Sequence, residues 1–248
     1  MDKKASSSSC DSLIDQSLTN YWPISNSQMI DEIGGSNMIQ GSLTTFTTDR
    51  FGNINSALAL NGGWTRVPAG VHFNTPQFTI SSWIYTQNLG SQARLIDFGN
   101  GANMNNVVVT FNKVSTMAGV EICPGSPCIV NFASSVAFTL NTWQFLAVTF
   151  DGATFSIYID AVLTGSLSYT YTMPALTRTN NYIGRSNWAI DSYSWSYVDD
   201  LRFFNMSLSQ TDIYFLMNLT SKWENFVFNS YLFPITLFRE GKNYRLID

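Results

Sequence analysis

Charge is scarce in this chain: only 12% of its 248 residues are Asp, Glu, Lys or Arg, against 45% hydrophobic. That balance excludes an intrinsically disordered chain and supplies a large core. The 13 basic residues are scattered among 17 acidic ones, net charge −4 and no basic stripe, so nucleic acid and anionic membranes are not expected partners. No apolar run approaches the roughly 18 residues of a transmembrane helix. The start, MDKKASSSSCDS, has no apolar stretch of the signal-peptide kind, so residues 1–12 read as a flexible linker of a module from a longer chain, with the export signal elsewhere. Histidine is almost missing as well. His72 is the sole candidate base for a Ser-His-Asp triad, and without a nucleophile-elbow glycine pattern nearby it reads as a loop histidine.

Short apolar runs bounded by Gly, Asn, Pro and Asp recur along the chain, the spacing of an all-β sandwich. Val107–Phe111, Phe145–Phe150 and Phe155–Ile159 are the clearest. Asp151-Gly152 predicts a two-residue hairpin turn between the last two, because both central positions of that turn need positive φ. At Asp160-Ala161 alanine tolerates the left-handed region poorly, which predicts a longer turn or one of another type. Helix is scarce: Ser207–Met217 alone has an N-capping serine and apolar residues (Ile213, Leu216, Met217) at helical spacing. The aromatic-rich tail 220–248 shows no periodicity and is read as an extension of unknown structure.

Four features could carry chemistry. The segment CPGSPC brings Cys123 and Cys128 together in a Pro- and Gly-rich turn; a disulfide is expected, with two free loop thiols as the alternative and Cys10 left over. In YVDDLRFF, period-two alternation places Asp199 on the face of Leu201 and Phe203, and a core-facing carboxylate needs either a hydrogen-bond network or a hard cation, for which oxygen ligands suit calcium. The loop NWAIDSYSWSY, residues 187–197, sets Trp188, Tyr193 and Trp195 beside Asp191. Sugars bind such sites, their C–H faces on aromatic rings and their hydroxyls on oriented polar groups, though the same aromatics could close the sandwich edge. Asn205 (Asn-Met-Ser) and Asn218 (Asn-Leu-Thr) form N-glycosylation sequons.

The ordered set YWPI (21–24), DRFGN (49–53), SALALNGGW (56–64), FTISSWIY (78–85), RLIDFGNG (94–101), NTWQFLAVTFDG (141–152) and the stretch 180–216 resembles the laminin-G-like, concanavalin-A-like lectin/glucanase jelly-roll family. The resemblance implies one two-sheet antiparallel sandwich over residues 13–219, with a short helix near 207–217. It implies a structural calcium shared by Asp199 and the acidic loop 31–37 through Asp31. The related glucanases carry an E-x-D-x-x-E or E-x-D-x-E strand motif, which this sequence lacks, so the chain is expected not to be an enzyme. In RLIDFGNG, Asp97 and Asn100 read as shaping a turn, with lining of the concave face as the alternative. The expected function is that of an extracellular binding module for glycan or a protein partner, within a larger secreted or surface protein. A carbohydrate-active enzyme or its accessory domain, or a structural spacer, is the alternative.

Overall fold

The computed structural model describes residues 14–88, 92–115 and 117–219, together with the short strand segments 238–240 and 243–245. The expected sandwich is what forms. The strands in chain order are β1 Leu18–Trp22, β2 Ile39–Gln40, β3 Thr45–Thr47, β4 Ala57–Ala59, β5 Thr65–Val67, β6 Phe78–Asn88, β7 Arg94–Gly99, β8 Asn106–Val114, β9 Met117–Cys123, β10 Val130–Ala137, β11 Trp143–Phe150, β12 Thr154–Ile159, β13 Val162–Ser168, β14 Asn180–Ile183 and β15 Trp195–Phe204. One sheet runs β13-β12-β11-β6-β15-β4-β3, with β1 also on β15, and the other runs β10-β9-β8-β7-β14-β5-β2. The inner faces of both sheets meet in one core that includes Ile80, Ile84, Leu146 and Val198 from the first and Phe98, Val109, Val120 and Ile183 from the second. The linker 1–12 and nearly all of the tail lie outside the described residues; from the tail only the antiparallel pair Phe238–Glu240 and Asn243–Arg245 is described.

The helix is Gln210–Met217, starting later than the sequence suggests because Ser209 is the N-cap: its hydroxyl accepts from Asp212 N at 3.2 Å and Asp212 accepts from Ser209 N at 2.9 Å. A helical turn at 14–17 adds a second, unexpected element. Ile213 and Leu216 pack with Ile14, Phe145, Ala147, Phe204 and Leu208 on the outer side of the first sheet. The two predicted turns come out reversed. Four residues, 151–154, separate the paired Phe150 and Phe155, with the Asp151 carboxylate accepting from Ala153 N (2.9 Å) and Thr154 N (2.7 Å). The 160–161 turn is the two-residue one, with φ of 50° at Asp160 and 61° at Ala161 between the paired Ile159 and Val162. Asp160 secures it by accepting from Phe145 N at 2.8 Å, and the Ala161 methyl is buried under the helix.

A bulge overturns the expected phase of Asp199. Val198 and Leu201 both face the core although they are three residues apart, and the register against β6 shifts between Asp199 and Arg202, where Asp200 has φ of 51°. Asp199 therefore lies opposite Trp83 on the outer side of the sheet. There it meets Arg50, carried over that face by the 49–53 loop: Arg50 Nη1 is 3.0 Å from Asp199 and 2.6 Å from Asp200, while its guanidinium lies 4.8 Å from the Trp83 ring. Asp200 also accepts from the Tyr21 hydroxyl at 2.7 Å and lies 3.4 Å from Arg202.

Candidate functional site

The loop between β14 and β15 is closed at its root, where Ser194 N donates to Gly184 O at 2.9 Å. Its near side is fastened to β7. Asp97, wholly buried, accepts from Asn187 N and Asn187 Nδ2, each at 2.8 Å, and from Asn106 Nδ2 at 2.9 Å. Burial pushes the Asp97 carboxyl up, and these donors oppose the shift. Arg94 Nη2 donates to Asp191 at 2.8 Å, and its guanidinium lies 5.7 Å from the Trp188 ring. Ser186 Oγ completes the anchor by donating to Asp191 at 2.7 Å.

The four predicted ligand residues thus divide into two pairs. Trp188 and Asp191 come together around Arg94 and are half-buried, so Asp191 is part of the framework rather than an uncommitted partner for a ligand. Tyr193 and Trp195 are 45% and 47% exposed. Trp195 and Tyr197 project on the opposite side of β15 from the buried Ser194 and Ser196, whose hydroxyls meet at 2.6 Å. The Trp195 indole lies across Gly62, where an added Cβ would come within 2.8 Å of the ring. At the loop tip Ile190 is 94% exposed, a feature that periodicity does not flag.

Asn100 shapes a turn as expected, accepting from Thr179 N at 2.9 Å, whereas Asp97 lies within β7 and holds the loop between β14 and β15 instead of a turn of its own segment. Arg94 and Arg50 escaped the sequence analysis because their partners are 97 and 149 residues away. His72 sits in a loop, its Nε2 3.2 Å from Pro68 O and its ring edge-on to Phe98. Cys123 and Cys128 are joined in a disulfide, and both sequon asparagines, Asn205 and Asn218, are exposed.

The carboxylates expected to share calcium are engaged by separate protein donors. Asp31 accepts from Asn20 Nδ2 (2.6 Å) and from the backbone N–H groups of Tyr21, Ile33, Gly34 and Ser36 (2.9 to 3.2 Å). Asp199 is neutralised by Arg50. A calcium shared by Asp31 and Asp199 would have to compete with the Arg50 guanidinium and with this set of amides.

These residues stand on a lectin-type sandwich. The model of the concanavalin A-like lectin/glucanases superfamily matches residues 60–214, and the chain belongs to that superfamily. No curated protein matches it. Among solved structures it is similar to domain 4 of AbnA, a GH43 extracellular arabinanase from Geobacillus stearothermophilus, in complex with arabinotriose; the match has 20% identity and a TM-score of 0.59, covering 81% of this chain and 98% of that one. It is also similar to the receptor binding domain of botulinum neurotoxin C/D mosaic serotype (14% identity, TM-score 0.61, 82% of this chain) and to the binding domain of Paraclostridial Mosquitocidal Protein 1 (15%, 0.61, 83%). The chain spans about half the length of these two toxin domains, 51% and 52%. At these identities the likeness concerns the fold.

Proposed function

We propose that the chain is a non-enzymatic, extracellular carbohydrate-binding module of a larger secreted or surface protein, taking glycan on the loop between β14 and β15. The observation that carries this reading is the exposure of Tyr193 and Trp195 on a loop whose other side is fixed by Asp97 and Arg94. An aromatic face held open to solvent on an anchored backbone receives a sugar's C–H face with little further ordering. The arabinotriose complex of the arabinanase domain adds support at the level of the fold. The two carboxylates nearest this loop are ill-suited to hydrolysis, since Asp97 is buried beneath Asn187 and Asp191 is held by Arg94. Asn205 and Asn218 are proposed as N-glycan carriers in a eukaryotic secretory pathway.

A glycan array followed by calorimetry tests the reading. Tyr193→Ala and Trp195→Ala should each weaken binding about tenfold, the loss of roughly one aromatic contact, while the melting temperature stays within about a degree or two because neither ring is buried. A large loss of stability would assign the rings to packing, and glycan hydrolysis surviving in both variants would overturn the non-enzymatic reading.

A further inference from the structure

Seven described side chains are cationic: Arg50, Arg66, Arg94, Lys113, Arg178, Arg185 and Arg202. Arg50, Arg94, Lys113 and Arg202 each have a carboxylate within ion-pair distance. Arg178 is buried and donates to Asn105 O at 2.8 Å. The two that remain are both neighbours of Tyr182, one across the strand pair and one over its ring. Arg66 is the cross-strand neighbour of Tyr182 on β5 and β14, and is exposed. The Arg185 guanidinium lies 4.6 Å from the Tyr182 ring and 4.9 Å from that of Trp64, and the two rings meet edge to face at 5.4 Å. Trp64, Tyr182 and Arg185 are all half-exposed.

Among the described residues, neither Arg66 nor Arg185 has an ion pair or hydrogen bond from its guanidinium to a protein acceptor. Contact with the Trp64 and Tyr182 rings does not use the N–H donors of Arg185 as hydrogen bonds to protein acceptors, so they are left for another partner. Asp97, the other cross-strand neighbour of Tyr182, and Asp191 in the adjoining loop do not supply one. Asp191 is taken by Arg94 and Asp97 by Asn187 and Asn106, so Arg66, Arg94 and Arg185 set against Asp97 and Asp191 leave this face at net +1 in a chain of net −4. Arg185 directly follows Gly184, one root of the proposed glycan loop, and Trp195 directly follows Ser194, the other root.

We infer that the glycan taken here is acidic: a pyranose bearing a carboxylate or sulfate, the anionic group received by Arg66 and Arg185 and a C–H face lying on Trp64 or Tyr182. This rests on the carbohydrate-binding reading above. A carboxylate or sulfate matches the forked donors of arginine, and charge-assisted hydrogen bonds are the strong ones.

The test uses array members printed in pairs, the same backbone with and without a uronic acid or sulfate, and calorimetry on the best pair. Acidic members should bind at least about tenfold tighter than their neutral partners, an advantage that shrinks as salt is raised. Arg66→Gln and Arg185→Gln should each lower affinity for the acidic member about tenfold and leave the neutral member and the melting temperature unchanged, whereas Trp195→Ala lowers both. Preference for uronic acid or for sulfate identifies the anionic group, and either supports the inference. Equal binding of neutral and acidic members, or full acidic affinity in both glutamine variants, overturns it while leaving carbohydrate binding intact. Binding by no member of the array overturns both.

Discussion

Replacing Arg50 by methionine tests the electrostatic account of the outer side of the first sheet. The substitution removes the guanidinium, whose carbon lies 4.8 and 4.1 Å from the Trp83 and Phe51 rings, and keeps an unbranched apolar side chain in its place. Asp199 and Asp200 have fully buried side chains and Arg50 is 7% exposed, so this is a buried ionic cluster. Removing one partner of such a pair costs about 3–5 kcal/mol, because the carboxylates stay desolvated. Asp200 keeps Arg202 at 3.4 Å and the Tyr21 hydroxyl at 2.7 Å, which places the loss near the lower end, about 3 kcal/mol. For a domain stable by roughly 5–15 kcal/mol that is a large fraction. Urea unfolding of wild type, Arg50→Met, Asp199→Asn and the double variant measures it, and the double variant should lose less than the two single losses added together. A loss below about 1 kcal/mol, the level of an exposed ion pair, would refute the buried-cluster account.

The Cys123–Cys128 bond closes a short loop, so replacing both cysteines by serine should lower stability by only about 2 kcal/mol and leave the fold intact; unfolding on mild reduction would contradict this. Burial holds the His72 imidazole below the ordinary value of 6.5, so the folded protein resists a proton that the unfolded chain accepts. The stability this gives is complete above pH 6.5 and declines as pH falls through the lower folded value. Comparing unfolding of wild type and His72→Gln across that range should show the extra slope in wild type alone, and equal slopes would reject it. Because Asp31 and Asp199 are already engaged by protein donors, melting curves in millimolar calcium and in chelator should coincide, and a rise in melting temperature with calcium would refute this and support the shared site.

The sandwich was legible because its core strands announce themselves over a few residues. The apolar runs 145–150 and 155–159 carry the first sheet, and the apolar run 107–111 carries the second, with no knowledge of partners required. What failed was phase. A bulge adds one residue and exchanges the faces of everything after it, and nothing in VDDLRFF marks Asp200 as the residue with positive φ. The hairpins failed for a related reason: Asp151 satisfies its own loop through side-chain acceptance, while Ala161 takes the left-handed conformation because its methyl is buried and Asp160 is tied to β11. The aromatic loop was half legible. Composition marked Trp188 to Trp195 as unusual, but whether a ring faces solvent depends on Arg94 and Asp97, about ninety residues earlier in the chain.

The division between anchored and exposed residues bears directly on how the loop could bind. A loop free to move would lose conformational entropy on meeting a ligand, a penalty that weak sugar contacts rarely offset. Here the ordering is done during folding, by Asp97 on Asn187 and Arg94 on Asp191, with the Ser194–Gly184 bond closing the root. The residues that look most polar in the sequence are thereby used to hold the backbone, and the rings left for the proposed recognition are those that the core does not claim: Tyr193 and Trp195, with Trp64 and Tyr182 beside Arg185. Weakening the anchor should therefore reduce affinity without touching any ligand-facing group, the opposite of what a purely structural spacer, indifferent to the position of this loop, would show.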